Sequence, residues 1–390
     1  MEQRASQPEP FEVSVADTVL DDLRARLSAT RWPCIVGDDN WAYGAPVEFM
    51  QELASYWSTQ YDWRAAERAI NDLPHFRVRI DGFPIHFVHV RGKGPSPVPL
   101  ILTHGWPWTF WDFAEVIGPL TDPERYGGEP GDAFDVVIPS LPGFAFSTPA
   151  PRGVNVADTA ELWAVLMRDV LGYNRYGAQG GDYGALVSAQ LGHCHADNVI
   201  GVHLSTPNVL SVNWRGLRRE DFAPGEESWF DAMQEHLKTH SHLSVHSTDP
   251  QTLAFALQDS PVGLAAWLIE RRRNWSDCGG DVYASFDRDM LLTTVMLYWV
   301  TGSIGSSMRF YYESARRPWH PSDDSLPVIK PPTAVQVFPR ELIFTPRRLA
   351  EERANLKRWT VMPSGGHFAP AEEPRLLAAD LRSFFRELRG

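Results

Sequence analysis

The residues best arranged to do chemistry lie in GAQGGDYGALVSAQLG (177–192), where Asp182 stands between Gly181 and Tyr183. A short apolar run enters the glycines and a helical pattern leaves them. That is a small–x–nucleophile–x–small turn with an aspartate at its tip. Glycines suit such a turn because the backbone is strained and strand and helix pack closely. The same residues also fit a tight strand–helix turn whose Asp182 merely caps the helix. Dinucleotide binding fits less well, because this strand falls in the middle of the strand sequence rather than at its start.

As a nucleophile, Asp182 is ionised at neutral pH and needs no base to activate it. A carboxylate suits attack on an sp³ carbon, such as an epoxide carbon or one bearing a halogen. The product is an ester to the protein. Its hydrolysis requires a water, a base for that water and donors for an oxyanion. His367 in MPSGGHFAP (362–370) is the candidate base, placed after a strand and two glycines that turn it inward. Glu341 in VFPREL (337–342) follows an earlier strand and is the candidate acid partner, with Glu351, Glu352 and Asp323 as weaker competitors. The backbone N–H groups of Trp106, in THGWPW (103–108), and of Tyr183 are candidate oxyanion donors. An opening epoxide also needs a neutral donor for its oxygen, a task for a phenol. The candidates are Tyr283, Tyr298, Tyr311 and Tyr312, among which the residues alone do not choose.

The elements that must position these groups follow from the patterning. Residues 1–10 read as a disordered tail. Asp17 is placed to cap a helix bearing Leu20, Leu23 and Leu27, and Pro46 to open one bearing Met50, Leu53 and Trp57. FRVRIDGFPIHFVHV (76–90) predicts a hairpin around Asp81-Gly82. From about residue 98 short apolar runs at 99–103, 135–139, 175–180 and 199–204 alternate with helical patterns near 155–171 and 184–191, which predicts a parallel sheet covered on both faces. Residues 209–330 break the rhythm and read as an inserted, mainly helical cap. Strands return at 333–338 and 358–362, and a closing helix carries Leu377, Leu381, Phe384, Phe385 and Leu388.

Composition narrows the classes. The net charge of −13, without a basic run, argues against a nucleic-acid partner. Three widely spaced cysteines favour neither a disulfide framework nor a zinc site, and fit a reducing cytoplasm. No apolar signal segment opens the chain and no stretch of eighteen apolar residues follows, so no membrane anchor is expected.

The chain resembles the microsomal-type epoxide hydrolases, a family that includes the juvenile-hormone epoxide hydrolases and bacterial relatives. The likeness runs through LRARLSATRWP, YDWRAAERAINDLPHF and IDGFPIHFVHVR, then LTHGWPWTFWDF, IPSLPGFAFS and GGDYGALV, and finally DSPVGLAAWLIE, LYWVTGSIGSSMRFYYE, FPREL and GGHFAPAEEP. It implies an α/β-hydrolase core sheet (96–208 and 331–390), an inserted helical cap (209–330) and an N-terminal extension wrapping the core (1–95). It also implies no cofactor and no metal, an epoxide as the small-molecule partner, and an oligomeric state left open, with a homodimer one option. By resemblance Asp182 is the nucleophile, His367 the base, Glu341 its acid partner and Tyr311 one donor to the epoxide oxygen. The position of the family's second donor tyrosine falls on His242, a departure. His242 as an imidazolium donor, a shifted cap loop and an unusual substrate are its three explanations. Two smaller departures are Tyr183 in place of tryptophan and Ala145 in place of glycine. The activity implied is conversion of an apolar epoxide, bulky ones included, to a vicinal diol. The rivals are a haloalkane dehalogenase and a catalytically silent ligand-binding protein on the same fold.

Overall fold

The structure, a computed structural model, describes residues 4–34, 37, 40–150, 152–237 and 240–389. Strand β1 (Glu9–Phe11) precedes helices α1 (Asp17–Ser28), α2 (Val47–Thr59) and α3 (Trp63–Asn71), and the hairpin β2 (His75–Ile80) and β3 (Phe83–Val90) follows. Then come β4 (Val98–Thr103), α4 (Ala114–Thr121), β5 (Phe134–Pro139), α5 (Val156–Val165), β6 (Tyr176–Gly180), α6 (Tyr183–Cys194) and β7 (Val199–Leu204). Among the described residues six α-helices intervene before the sheet resumes: α7 (Glu227–Leu237), α8 (Ser241–Thr248), α9 (Pro250–Asp259), α10 (Pro261–Trp275), α11 (Arg288–Thr301) and α12 (Ile304–Arg316). The chain closes with β8 (Ile329–Val337), α13 (Arg347–Arg353), β9 (Ala354–Val361), α14 (Ala369–Glu372) and α15 (Pro374–Arg386).

The nine strands among the described residues form one sheet in the order β1-β2-β3-β5-β4-β6-β7-β8-β9. The first three strands and the β3–β5 pair are antiparallel, and every pair from β5 to β9 is parallel. The order reverses at β4, which lies between β5 and β6, so the loops leaving β4 and β6 diverge and open a crevice at the carboxyl edge. That edge carries both Trp106 and Asp182. Strands β4, β5 and β6 are almost wholly buried, as expected for mainly apolar strands covered on both faces.

The hairpin forms at Asp81-Gly82, both at positive φ (49° and 83°), which matches the right-handed twist of the strands. The predicted faces of α1, α2 and α15 are inward, with Leu20, Leu23, Leu27, Met50, Leu53, Trp57, Leu377, Leu381, Phe384 and Phe385 buried.

Three local expectations are corrected. The part of 1–10 that is described, from Arg4 onward, is not a tail. β1 pairs with β2, the Ser6 N–H donates to the Arg79 carbonyl (2.9 Å), and Arg4 meets Asp81 at 2.7 Å. Edge pairing supplies partners that the segment's own sequence does not reveal. Ala16, not Asp17, precedes the first helix, because the Asp17 carboxylate is engaged by Arg64 at 2.5 Å. Leu388 lies past the end of α15 at Arg386.

Candidate active site

Asp182 occupies the turn between β6 and α6 at φ 51° and ψ −125°, a conformation in which a non-glycine residue is strained. Close packing fixes the turn. A Cβ on Gly105 would lie 2.3 Å from the Asp182 carboxylate, so only glycine lets the β4 loop approach it. The Trp106 N–H donates to Asp182 Oδ1 at 2.9 Å, and the Tyr183 N–H also donates to this carboxylate. Both donors expected for the oxyanion site therefore converge on Asp182. His104 shapes the turn: its Nδ1–H donates to the Gly105 carbonyl (2.9 Å) and its Nε2 accepts from the Leu141 N–H (3.0 Å). Burial lowers His104 to about 4, which keeps the ring neutral and Nε2 free to accept.

Behind Asp182 stand the two expected partners. His367 Nε2 lies 3.6 Å from Asp182 Oδ2, beyond a direct hydrogen bond but facing the oxygen that Trp106 leaves free. His367 Nδ1 is 2.6 Å from Glu341 Oε1. Glu341 is fully buried and also accepts from the Leu342 N–H (2.6 Å) and the Thr206 hydroxyl (2.8 Å). The competing acids are elsewhere: Glu351 and Glu352 pair with Arg347 and Arg348, and Asp323 with Lys330. Burial raises the Asp182 carboxyl above the ordinary range, against the pull of His367 and the two N–H donors. Burial works against a charged His367, yet the carboxylates of Glu341 and Asp182 outweigh it and raise its pKa.

Asp182 and His367 line a cavity of about 650 Å³ between the core and the cap. Tyr311 and His242 line it from the opposite side, on α12 and α8. The other tyrosine candidates serve packing. The Tyr298 hydroxyl donates to the Trp108 carbonyl (2.9 Å), Tyr283 stacks on Phe49, and Tyr312 lies under Arg316. Tyr311 sits edge-on to Tyr183 (4.8 Å), His246 (4.9 Å) and Trp106 (5.8 Å). Burial, with the nearby Asp182 carboxylate, raises its phenol well above the usual value, so it is a protonated donor at neutral pH.

His242 is stacked flat on the Trp106 indole, centroids 5.5 Å apart and planes at 9°. Burial, followed by His246 and Arg271, lowers its pKa well below the ordinary value. These surroundings favour the neutral ring over the imidazolium. Its Nδ1 has no partner among the described residues. Ala145 is at φ 41°, which accounts for glycine being the easier residue there.

Sequence reading missed Thr206 and Trp275. The Thr206 hydroxyl accepts from the Asp182 N–H (2.8 Å) while donating to Glu341, tying nucleophile to acid. Its signal was its place just past β7, on the same sheet edge. Trp275, at the end of α10, lines the cavity and lies edge-on to His367 (5.4 Å).

The Epoxide hydrolase N terminus family matches residues 8–113, and the alpha/beta hydrolase fold family matches 98–374. The chain is 42% identical to a protein of Stigmatella aurantiaca provisionally named an epoxide hydrolase, over 98% of this chain and 85% of the relative. It is 33% identical to Epoxide hydrolase 1 of Sus scrofa, over 96% and 88%. The chain belongs to the microsomal-type epoxide hydrolase family. Among solved structures, the juvenile hormone epoxide hydrolase of the silkworm Bombyx mori superposes with a TM-score of 0.88 at 28% identity, covering 98% of this chain and 95% of that one. The Aspergillus niger epoxide hydrolase gives 0.85 at 29%, covering 98% and 97%.

Proposed function

We propose that this epoxide hydrolase opens apolar epoxides to vicinal diols through an ester on Asp182. One observation carries the reading: the two carboxylate oxygens of Asp182 are already differentiated. Oδ1 is held by backbone N–H, whereas Oδ2 faces His367 and the cavity.

In the first step Oδ2 attacks an oxirane carbon, the carbon–oxygen bond breaks, and Tyr311 gives its proton to the leaving alkoxide. His242 is the second donor, through an N–H of its neutral ring. In the second step His367, oriented by Glu341, takes a proton from water, whose oxygen attacks the ester carbonyl carbon. Negative charge then gathers on Oδ1, where the Trp106 N–H is already in place, with the Tyr183 N–H as the second donor. Collapse releases the diol carrying Oδ2. Asp182 is restored as a carboxylate with one oxygen from water, and the proton on His367 returns to the Tyr311 phenolate through the pocket or solvent.

Leu186, Val209, Leu210, Trp275, Trp319 and Ile343 line much of the cavity, whose volume suits a small organic ligand, so apolar epoxides are the expected substrates. A halide-releasing reaction would need N–H donors directed into the cavity. The Trp106 indole is instead packed among His242, His246, Trp275 and Tyr311, and is not part of the lining.

Turnover of an epoxide such as styrene oxide in ¹⁸O-water, followed by mass analysis of the peptide bearing Asp182, tests the mechanism. The ester route puts label into Asp182 over repeated turnovers, and the first turnover gives a diol with an unlabelled new oxygen. An unlabelled Asp182 after many turnovers refutes it.

A further inference from the structure

The end of cap helix α10 is bound directly to the loop that carries His367. The Trp275 carbonyl accepts from the His367 N–H at 2.9 Å. Asp277 Oδ2 accepts from the Gly365 N–H at 3.1 Å. Glu372 joins both segments: Oε1 accepts from the Phe368 N–H (2.8 Å) and Oε2 from the Asp277 N–H (2.7 Å). The contact is backbone against backbone. A Cβ on Gly366 would lie 2.7 Å from the Trp275 carbonyl oxygen and 2.9 Å from the Asp277 nitrogen. One helical turn earlier, Arg272 lies over the Phe368 ring (4.1 Å), pairs with buried Asp112 (2.6 Å) and donates to the Pro107 carbonyl (3.3 Å). The helix whose last residue lines the cavity thus holds the loops of both base and oxyanion donor.

Nothing in the two chemical steps uses Glu372, yet its carboxylate bridges the base loop and the cap. We infer that Glu372, with Asp277, is a positioning residue that clasps the end of α10 to the His367 loop and sets the imidazole for ester hydrolysis. The inference rests on the two-step reading above. A carboxylate accepting from two N–H groups forms stronger bonds than a neutral acceptor, and here the two donors belong to segments about ninety residues apart. The carboxyl is enclosed although the residue is partly exposed. Burial pushes it up to about 7, against the pull of both N–H groups, His367 and Arg272. Neighbouring Glu373 is turned to Ser364 (2.6 Å), and Arg340 lies 3.7 Å from the Asp277 carboxylate.

Because Asp182 attacks without help from a base, loosening His367 slows only the second step. A misplacement of about 1 Å costs on the order of a hundredfold in rate. The test is rapid-mixing kinetics of the full chain with styrene oxide, with the ester followed by intact-protein mass. In Glu372→Gln, one oxygen remains to accept and the second N–H loses its partner. The expected result is an alkylation rate within about twofold of the parent and ester hydrolysis slower by roughly tenfold to a hundredfold. The ester accumulates, and kcat and KM fall together with kcat/KM preserved. Asp277→Ala, which frees the Gly365 N–H, is expected to show the same split to a smaller degree. It decides the matter if the first variant does not fold. Equal loss in both steps, or no change in either, overturns the clasp. Failure of the parent and of His367→Gln to form any ester would instead refute the two-step reading itself.

Discussion

The two walls of the cavity are built differently. On the core wall, hydrogen bonds account for the placement of each reacting group. Asp182 Oδ1 takes the Trp106 N–H, the Asp182 N–H donates to Thr206, and Glu341 accepts from Leu342, Thr206 and His367. On the cap wall, rings hold rings. Tyr311 rests against Tyr183, Trp106 and His246, and His242 lies on Trp106. The core wall must present fixed charges to a reaction whose charge moves by only a few ångströms, and a preorganised network does that. The cap wall must keep its donors neutral and unengaged for the substrate oxygen, and packing orients them without using their protons. Burial has opposite consequences for the acids and for the imidazoles. It lifts Asp182 and Tyr311, but lowers His242, whereas the carboxylates beside His367 reverse its effect there.

The contrast breaks most severely at Asp182. Asp182→Ala should lower kcat by about 10⁴-fold or more, with no protein adduct detectable by mass. Next, His367→Gln should slow ester hydrolysis by roughly 10²–10⁴-fold and leave alkylation nearly intact, so that the ester persists on the Asp182 peptide. A pH dependence goes with it. Asp182 is one of the carboxylates that raise the His367 pKa, and its charge is lost on esterification. The His367 pKa therefore falls in the ester. Hydrolysis of the ester should reach its plateau at a lower pH than the titration of His367 in the free enzyme, measured by NMR; an identical or higher midpoint would contradict this.

The cap wall should respond in the other half-reaction. Tyr311→Phe is expected to slow alkylation by about tenfold to a few hundredfold while ester hydrolysis is unchanged, since a donor to developing charge is lost. His242→Phe should slow alkylation by roughly tenfold. Because burial keeps His242 neutral, alkylation should not quicken as pH falls between about 8 and 6. An acid-promoted rise that vanishes in His242→Phe would restore the imidazolium. The smallest effect lies outside both walls: Ala145→Gly relieves the positive φ and should stabilise the fold by about 1 kcal/mol or less, read by thermal unfolding, with kcat unchanged.

Much of this was legible in the chain because each core-wall residue follows its own strand. Asp182 comes after β6, Glu341 after β8, His367 after β9 and Trp106 after β4. A parallel sheet delivers all such positions to one edge. The glycines announced the close approaches before any distance was known. The cap was less legible. It carries four aromatic hydroxyl candidates, and local periodicity alone does not say which faces the cavity; the resemblance selected Tyr311, and the packing of α12 accounts for it. His242 was found only as a departure from a family pattern, and its charge state had to come from its surroundings.

The sequence by itself determined the strand–helix alternation, the strained turn at Asp182, the order nucleophile–acid–base, and the buried faces of the terminal helices, because these depend on residue type and short-range periodicity. Only the tertiary structure decided the rest. It drew Ser6 and Phe11 into the sheet edge, set Thr206 between Asp182 and Glu341, buried His242 so that its pKa is lowered, and brought Glu372 and Asp277 to the loop of His367. Each of these joins segments far apart in the chain or depends on what excludes water from a side chain. No local pattern encodes either, because burial and long-range hydrogen bonding are properties of the packed whole.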